Sequence, residues 1–295
     1  MNKRGFWFVL AASVLWGTTG TTQALAPAGA QPVVIGTLRL LVGGFAMLAI
    51  AAFSGGFADI KSWSLRYTLM SAVCVAAYQL FFFAGVARTG VAVGTIVGIG
   101  SSPIFGGVLG YLFRGERPGW KWAVATLLAV IGCALLASAG EEIKVDALGM
   151  LLAVIAGAAY AGFSLFSKPL FEKHSREAVL AAAFCVGALL LLPNLPGKDM
   201  TWLAQPRGMW VALHLGLVTA AGAYSLYARG LSLVPVATAV TLTLAEPLTA
   251  GMLGVLLLGE RLTLVAGAGI VLIFSGLVVL SLERESSPPV EEKAA

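Results

Sequence analysis

The sequence predicts an all-α polytopic membrane protein with ten transmembrane helices arranged as two inverted five-helix repeats. Of its 295 residues, 59% are hydrophobic and only 11% are charged, whereas soluble domains average about 25% charged residues. Many apolar stretches reach the roughly 20 residues that a helix needs to cross the hydrocarbon core of a bilayer. A 15-residue motif also occurs twice, 144 residues apart. The duplication indicates two similar units rather than one irregular fold.

The repeated motif is PIFGGVLGYLFRGER at residues 103–117 and PLTAGMLGVLLLGER at residues 247–261, with eight of 15 positions identical. The offset pairs the first predicted helix with the sixth, and the third, fourth and fifth with the eighth, ninth and tenth. Each repeat therefore holds five helices. Because five is odd, the second copy enters the membrane from the opposite side, which is a known construction of transporters with a site between the halves.

The ten predicted helices leave no room for a soluble domain. Strands are a poor alternative, because the apolar runs do not alternate as a membrane barrel requires. The predicted segments lie near residues 6–26, 32–53, 64–87, 91–113, 118–138, 147–167, 177–193, 208–229, 234–258 and 262–282. The predicted division is a first repeat at 1–140, a second at 141–283, and a disordered cytoplasmic tail at 284–295.

The first segment also has features of a secretory signal peptide. Lys3 and Arg4 precede its apolar run, and residues 24–26 read Ala-Leu-Ala, which resembles a processing site. The offset of 144 residues, however, aligns Trp16 in this segment with Tyr160. A partner in the second half favours a permanent structural helix.

Positive charges predict the orientation. With a cytoplasmic amino terminus, 13 Lys and Arg residues fall on the inner side and five on the outer side, as the positive-inside rule expects. Both termini are then cytoplasmic, in a bacterial-type inner membrane. The formal net charge of +5 is explained by topology and anionic lipid headgroups, and no basic stretch indicates binding to nucleic acid.

The fourth segment carries small residues every four positions, on one side of the helix. They include Gly94, Gly98 and Ser102 and are typical of a close packing seam; the same seam could let the fourth and ninth helices move past each other. Pro103 and Pro247 lie near the middles of these two helices, where each removes a backbone hydrogen bond and favours a kink.

Two charged residues fall inside predicted spans, Arg39 in the second and Glu246 in the ninth. Charge inside a membrane is costly and often functional. Arg39 could extend towards the interface or donate to free carbonyls of a broken helix. Glu246 could be a proton site, a ligand for a substrate amine, or a protonated group that satisfies kinked backbone. The sequence leaves these alternatives open.

Polar and aromatic residues on several segments indicate an interior binding space. Trp16 is followed by the polar run Gly-Thr-Thr-Gly-Thr-Thr, and Tyr78 and Phe82 share one side of the third segment. Aromatic and amide or imidazole groups beside aliphatic walls suit a small amphiphilic solute, although packing is an alternative for each ring. The candidate substrate-binding residues are Trp16, Tyr78, Gln79, Phe82, Tyr160, His214 and Tyr224.

Several other functions find no support in the sequence. The three cysteines lie inside apolar segments and are assigned to packing, and the two histidines form no zinc-type pair. No nucleophile elbow and no nucleotide-binding Gly-rich loop occurs. We therefore expect no enzyme, no metal and no cofactor. A channel remains conceivable, and whether the unit is a monomer or a dimer is open.

The inverted repeats, the proline and Gly-Glu motifs of the paired helices, Trp16-Gly17 and Arg39 together resemble the drug/metabolite transporter superfamily, in its ten-helix EamA branch. Within it, the tract at residues 78–84 is most similar to the YddG type of amino-acid exporter, whose family substrates include aromatic amino acids. The second half departs from this pattern, because Tyr160-Ala161 replaces the Trp-Gly pair.

The resemblance and the residues together predict a secondary transporter that exports small amphiphilic metabolites by alternating access. Amino acids with apolar or aromatic side chains are the expected substrates. Other metabolites, nucleotide sugars among them, are the alternative, although a phosphate site should offer several Arg or Lys at mid-depth. Proton or ion coupling and the net direction of transport do not follow from the sequence.

Overall fold

The fold is a bundle of ten helices, shown by a computed structural model that describes residues 2–58, 62–89, 91–138, 146–258 and 263–282. All regular secondary structure in these residues is helical. Six helices reach the length and apolar composition of a membrane span on their described residues alone. The helices are α1 (Lys3–Ala24), α2 (Pro32–Phe53), α3 (Leu65–Thr89), α4 (Val91–Arg114), α5 (Trp120–Ser138), α6 (Ala147–Lys173), α7 (Arg176–Leu191), α8 (Pro206–Leu231), α9 (residues 236–258) and α10 (Leu264–Ser281).

Two helices are not α-helical throughout. The middle of α8, His214–Gly222, is a π-helix, in which each turn holds more residues than an α-turn. In α9 the segment Thr243–Ala245 tightens to a 3-10 helix before Glu246–Leu258 resumes as α-helix. The sequence predicted a bend in α9 from Pro247, but no residue in α8 signalled the π-helix.

Helix ends follow the capping chemistry of the sequence. The Asn2 side chain accepts from the backbone of Arg4 and Gly5 at the start of α1, and Asp146 accepts from Gly149 at the start of α6. The backbone N–H of Gly149 and the Arg88 side chain hold the pKa of Asp146 below its usual value, because both donors favour the carboxylate. Capping therefore defines where α1 and α6 begin.

The two halves interlock rather than lie side by side. Helix α6 packs most closely on α3 and α4, and its repeat mate α1 packs on α8 and α9 in the same way. Helix α2 packs on its own mate α7, and α5 on its mate α10. A shift of 144 residues relates the contacts of α6 to those of α1 and maps α2 onto α7 and α5 onto α10, as expected of inverted repeats.

The symmetry extends to single atoms where α5 crosses α10. A Cβ on Gly132 would lie 2.6 Å from the carbonyl oxygen of Gly269, and a Cβ on Gly276 would lie 2.7 Å from that of Ala125. A shift of 144 residues exchanges these two contacts. Both glycines bring one helix into direct contact with the backbone of the other, as small residues do at membrane helix crossings.

Some sequence predictions fall outside the described residues. They are residues 259–261 of the second repeated motif, residues 139–145 around the boundary between the two repeats, and the tail at 284–295. The division into units at 1–140 and 141–283 stays a prediction. The predicted sixth helix was too short, because α6 continues past Pro169 to Lys173.

We predict that Gly132→Ala lowers the free energy of unfolding by about 1–3 kcal/mol, since a new methyl group would force the α5–α10 backbones apart. Gly20→Ala in α1 is the matched control, because no atom lies within 4 Å of its added Cβ. It should leave stability unchanged or raise it by up to about 1 kcal/mol. Thermal unfolding of both purified variants in detergent measures the difference, and equal midpoints would contradict the close crossing.

Candidate functional site

A cavity of about 30 Å³ lies near the middle of the bundle, lined by residues from both repeats. This volume has room for about two water molecules, so a larger solute would fit only if the lining residues moved apart. The lining comprises Trp16, Arg39, Tyr78, Gly98, Ile99, Ser102, Tyr160, Tyr224, Thr243 and Glu246.

Three pairs of lining residues are related by the repeat. A shift of 144 residues places Trp16 on Tyr160, Ile99 on Thr243, and Ser102 on Glu246. The cavity therefore lies where equivalent helices of the two halves meet. A site at mid-depth between inverted repeats is typical of secondary transporters.

The π-helix of α8 supplies the main polar contact beside the cavity. The carbonyl oxygen of Thr219 accepts from the indole N–H of Trp16 at 2.8 Å and from the guanidinium of Arg39 at 3.3 Å. A π-turn leaves backbone carbonyls without their α-helical donors, so side chains can reach them. One irregular turn of α8 thus holds Trp16 from α1 and Arg39 from α2.

Aromatic rings surround the cavity and contact one another across the two halves. The ring centroid of Trp16 lies 4.9 Å from that of Tyr224 and 6.1 Å from that of Tyr160, both at steep angles. Tyr78 lies 5.6 Å from Tyr160 and stacks on Phe82 at 5.4 Å. These distances are those of favourable edge-to-face and offset pairs, so the rings form a packed cluster that belongs to both repeats.

The proline of α4 leaves a carbonyl that a neighbouring hydroxyl satisfies. Pro103 has no N–H to donate to Ile99, four residues earlier, and the Ser102 hydroxyl donates to the Ile99 carbonyl at 2.6 Å instead. In α9 the carbonyl of Thr243, four residues before Pro247, accepts from the backbone N–H of Glu246 in a 3-10 turn. In the first half, a side-chain hydroxyl replaces the donor that proline lacks. In the second half, a backbone N–H in a 3-10 turn replaces it.

Arg39 and Glu246 line the same cavity, one from each half. Arg39 is 7% exposed, and its Nε has no hydrogen-bond partner. Among the described residues, no ion pair within 4 Å involves either side chain. Of the alternatives raised by the sequence, the Arg39 side chain donates to a carbonyl of an irregular helix rather than extending to the interface.

The structure brings together most, but not all, of the predicted site residues. Trp16, Tyr78, Tyr160 and Tyr224 line the cavity with Gly98 and Ser102, and Phe82 lies directly behind Tyr78. Gln79 and His214 do not line it.

Gln79 lines a second, apolar cavity of about 240 Å³ between α2, α3 and α7, where its amide reaches the Gly36 carbonyl at 3.5 Å. His214 lies within hydrogen-bond distance of the Thr18 hydroxyl, at 3.0 Å, and stacks on Trp210. Gly94 packs against Val86 at the α3–α4 crossing.

Six lining residues were not among the predicted substrate-binding residues. Gly98 and Ser102 were predicted as packing positions, Arg39 and Glu246 as intramembrane charges, and Ile99 and Thr243 were not singled out. The signal for one of them was available. A shift of 144 residues carries Ser102, which belongs to the small-residue seam, to Glu246. Applying the repeat to the whole seam, instead of only to its motif, would have related Glu246 to it. Thr243 is the repeat mate of Ile99, which lies outside the seam.

A second polar cluster closes the side of the bundle that carries both described chain ends. The Glu116 carboxylate pairs with Lys168 at 3.3 Å and Arg114 at 3.5 Å, and accepts from the backbone N–H of Val236 at 2.8 Å. Val236 is the first residue of α9, where the helix dipole and free N–H groups favour an anion. We call Arg114, Glu116, Lys168 and Glu172 the corner network.

The corner network joins the two halves by charge-assisted hydrogen bonds. Arg114 reaches Glu172 at 2.9 Å, and Lys168 also donates to the Val234 carbonyl. Gly115, between Arg114 and Glu116, has φ +63°, a conformation that favours glycine and that turns the chain back after α4. Glu116 itself was predicted only as part of the repeated corner motif.

The sequence matches one family twice. The profile of the EamA-like transporter family matches residues 3–138 and again residues 147–282. The second range begins and ends 144 residues after the first, which is the offset of the repeated motif. The predicted resemblance to this family is thereby confirmed.

Relatives and solved structures agree with this match. The uncharacterized transporter YwfM of Bacillus subtilis is 45% identical over 274 residues, covering 93% of this chain and 92% of YwfM. The threonine/homoserine exporter RhtA of Escherichia coli is 29% identical over 271 residues, covering 86% of this chain and 83% of RhtA. A crystal structure with 18% identity superposes with a TM-score of 0.83 over 96% of this chain and 98% of that one, which shows the same fold.

We predict that Ser102→Ala lowers the free energy of unfolding by about 1–3 kcal/mol, because it leaves the Ile99 carbonyl buried without a donor. In a Pro103→Ala background the same change should have a smaller effect, since residue 103 then offers an N–H to Ile99. Unfolding of the two single variants and the double variant gives the coupling energy.

Ser101→Ala is the matched control for this cycle. Its hydroxyl donates to the Gly98 carbonyl, for which the N–H of Ser102 is the ordinary α-helical donor. Losing the Ser101 hydroxyl should therefore have little effect on stability. A coupling energy of zero between positions 102 and 103 would contradict the role assigned to Ser102.

Proposed function

Because the chain belongs to the EamA-like transporter family, we propose that it exports amino acids, above all those with apolar or aromatic side chains, by alternating access. Family membership supports transport, and the printed function of RhtA, a threonine/homoserine exporter, supports amino acids as the class. The observation that carries the proposal is the central cavity, with aromatic rings and two opposite charges contributed by both halves.

The cavity chemistry suits an amphiphilic solute better than a phosphorylated one. Its rings offer apolar faces to a side chain, and Arg39 is the one cation among the described lining residues. A nucleotide sugar carries two phosphates and would need more positive charge than this at mid-depth. We place the protein in a bacterial inner membrane with both termini in the cytoplasm, as the distribution of Lys and Arg favours.

Purified protein in liposomes should exchange labelled phenylalanine, methionine or threonine against the same unlabelled amino acid inside, with saturation at high concentration. UDP-sugars should not compete. Empty liposomes provide the background, and planar bilayers should show no unitary currents. Competition by UDP-sugars in the absence of any exchange of the three amino acids would contradict the proposed substrate class.

In this proposal the corner network is the closed gate on the cytoplasmic side. It holds α4 and α6 to the start of α9 through Glu116. Helices α4 and α9 come from opposite halves, and both contribute residues to the cavity lining. Opening towards the cytoplasm would separate these ends and expose the charged groups to water. Weakening the network should therefore favour the inward-open state.

We predict that Glu116→Gln increases the reactivity of a buried reporter on α9 by about 10-fold or more, since a charge-assisted hydrogen bond contributes about 1.5–3 kcal/mol. The reporter is Val240→Cys with Cys74, Cys133 and Cys185 changed to Ala; Val240 is fully buried and packs on Gly106 of α4. Maleimide labelling in detergent measures the reactivity.

Glu177→Gln is the matched control for this test. Glu177 pairs with Arg229 at 3.6 Å on the same side of the bundle, but it lies outside the corner network. It should leave the labelling rate unchanged. Equal rates for Glu116→Gln and Glu177→Gln, with both proteins folded, would contradict a gating role for Glu116.

A further inference from the structure

The two charges of the central cavity are places where the inverted symmetry is broken. The repeat mate of Glu246 is Ser102, and the repeat mate of Arg39 is Ala183. Trp16 and Tyr160, in contrast, keep an aromatic ring at both related positions. Two related halves thus contribute one positive and one negative residue to the cavity, and the positions related to these two by the repeat carry no charge.

Both charges have binding capacity that the described residues do not use. A guanidinium has five N–H donors, and the hydrogen bond of Arg39 with a described residue goes from Nη2 to the Thr219 carbonyl. Its Nε is buried and unpartnered. No described residue donates a hydrogen bond to the Glu246 carboxylate. Arg39 is buried and Glu246 is partly exposed, so each keeps hydrogen-bonding capacity that a ligand in the cavity could satisfy.

Building on the proposed function, we propose that Arg39 and Glu246 recognise the two charged groups common to all α-amino acids. Arg39 binds the α-carboxylate, for which its planar fork offers parallel N–H donors. Glu246 binds the α-ammonium group. An anion alone would leave Glu246 unpaired, and a cation alone would leave Arg39 unpaired. Only a ligand that carries both charges, such as a zwitterion, pairs with both residues.

The remaining lining suits the rest of an amino acid. The rings of Trp16, Tyr78 and Tyr224 flank the charges, and aromatic faces attract an ammonium group as well as apolar side chains. Gly98 and Ile99 of α4 also line the cavity, and Gly98 adds no side-chain bulk to this wall. The charges thus fix the shared backbone of the substrate, and the wall on α4 contacts the variable side chain.

The position of Arg39 would link substrate binding to the π-helix of α8. The Thr219 carbonyl that accepts from Arg39 also accepts from Trp16. A carboxylate on the free edge of Arg39 therefore contacts a group that is anchored to the irregular turn of α8. Substrate would connect α2, α8 and α9 through the two charges, which neither an amide nor a hydroxy acid could do.

The test measures binding of three matched ligands to purified protein by calorimetry and by the shift of the thermal midpoint. The ligands are the strongest amino-acid competitor among phenylalanine, methionine and threonine, its α-amide, which lacks the carboxylate, and its α-hydroxy acid, which lacks the ammonium group. Wild-type protein should bind both analogues about 10- to 100-fold more weakly than the parent amino acid, since each loses a charge-assisted contact.

The variants separate the two charges. Arg39→Gln should weaken the parent about 10- to 100-fold but change the affinity for the amide little, and Glu246→Gln should weaken the parent similarly but change the affinity for the hydroxy acid little. Arg39→Lys and Glu246→Asp keep the charge and serve if the neutral variants do not fold. Arg88→Gln and Glu177→Gln remove charges that do not line the cavity, and these variants should bind all three ligands as wild type does.

The outcomes distinguish this inference from the proposed function. If wild-type protein exchanges amino acids but binds amide and hydroxy acid as tightly as the parent, the inference is wrong and the proposed function stands. Equal weakening of all three ligands by either variant also overturns the inference. If no amino acid is exchanged or bound at all, the proposed function and the inference fail together.

Discussion

A backbone carbonyl or N–H in the hydrocarbon core has no water to bond with, and this constraint determines where the present chain can depart from α-helix. An unsatisfied group there costs several kcal/mol. Two irregular segments, His214–Gly222 of α8 and Thr243–Ala245 of α9, lie beside the same cavity. The Ile99 carbonyl of α4, which Pro103 leaves without a backbone donor, lies there as well. At each place the freed backbone groups are satisfied by a nearby side chain or by a tighter turn. The site is thus built where the fold can tolerate irregular backbone.

Much of the architecture was predictable because the repeat is detectable in the sequence. The offset of 144 residues established five helices per half and their inversion, and it correctly related Trp16 to Tyr160 across the cavity. It could also place Glu246 opposite Ser102. The same offset relates Arg39 to Ala183, so it does not predict that Arg39 donates to a carbonyl in an irregular turn of α8. Helix periodicity carries no signal for such a turn.

The two candidate residues that lie elsewhere show the limit of reasoning from helical faces. Gln79 follows Tyr78 directly, and neighbouring residues of a helix point about 100° apart. Tyr78 therefore lines the central cavity, whereas Gln79 lines the second cavity. His214 and Tyr224 are ten residues apart, about 15 Å along a helix, and thus at different depths. A shared face indicates direction but not depth, and the π-helix that begins at His214 changes the direction as well.

The π-helix of α8 has a mechanical consequence. A π-turn contains an extra residue relative to an α-turn, so the π-helical segment of α8 has more residues per turn than the α-helix on either side of it. If the segment converted to α-helix, the residues after it would rotate about the helix axis by about 100° for each extra residue incorporated into the α-helix. The Thr219 carbonyl would then swing away from both Trp16 and Arg39 without any hinge in a loop. A rotary element of this kind would allow α8 to change its register while the ends of the helix stay anchored in the membrane.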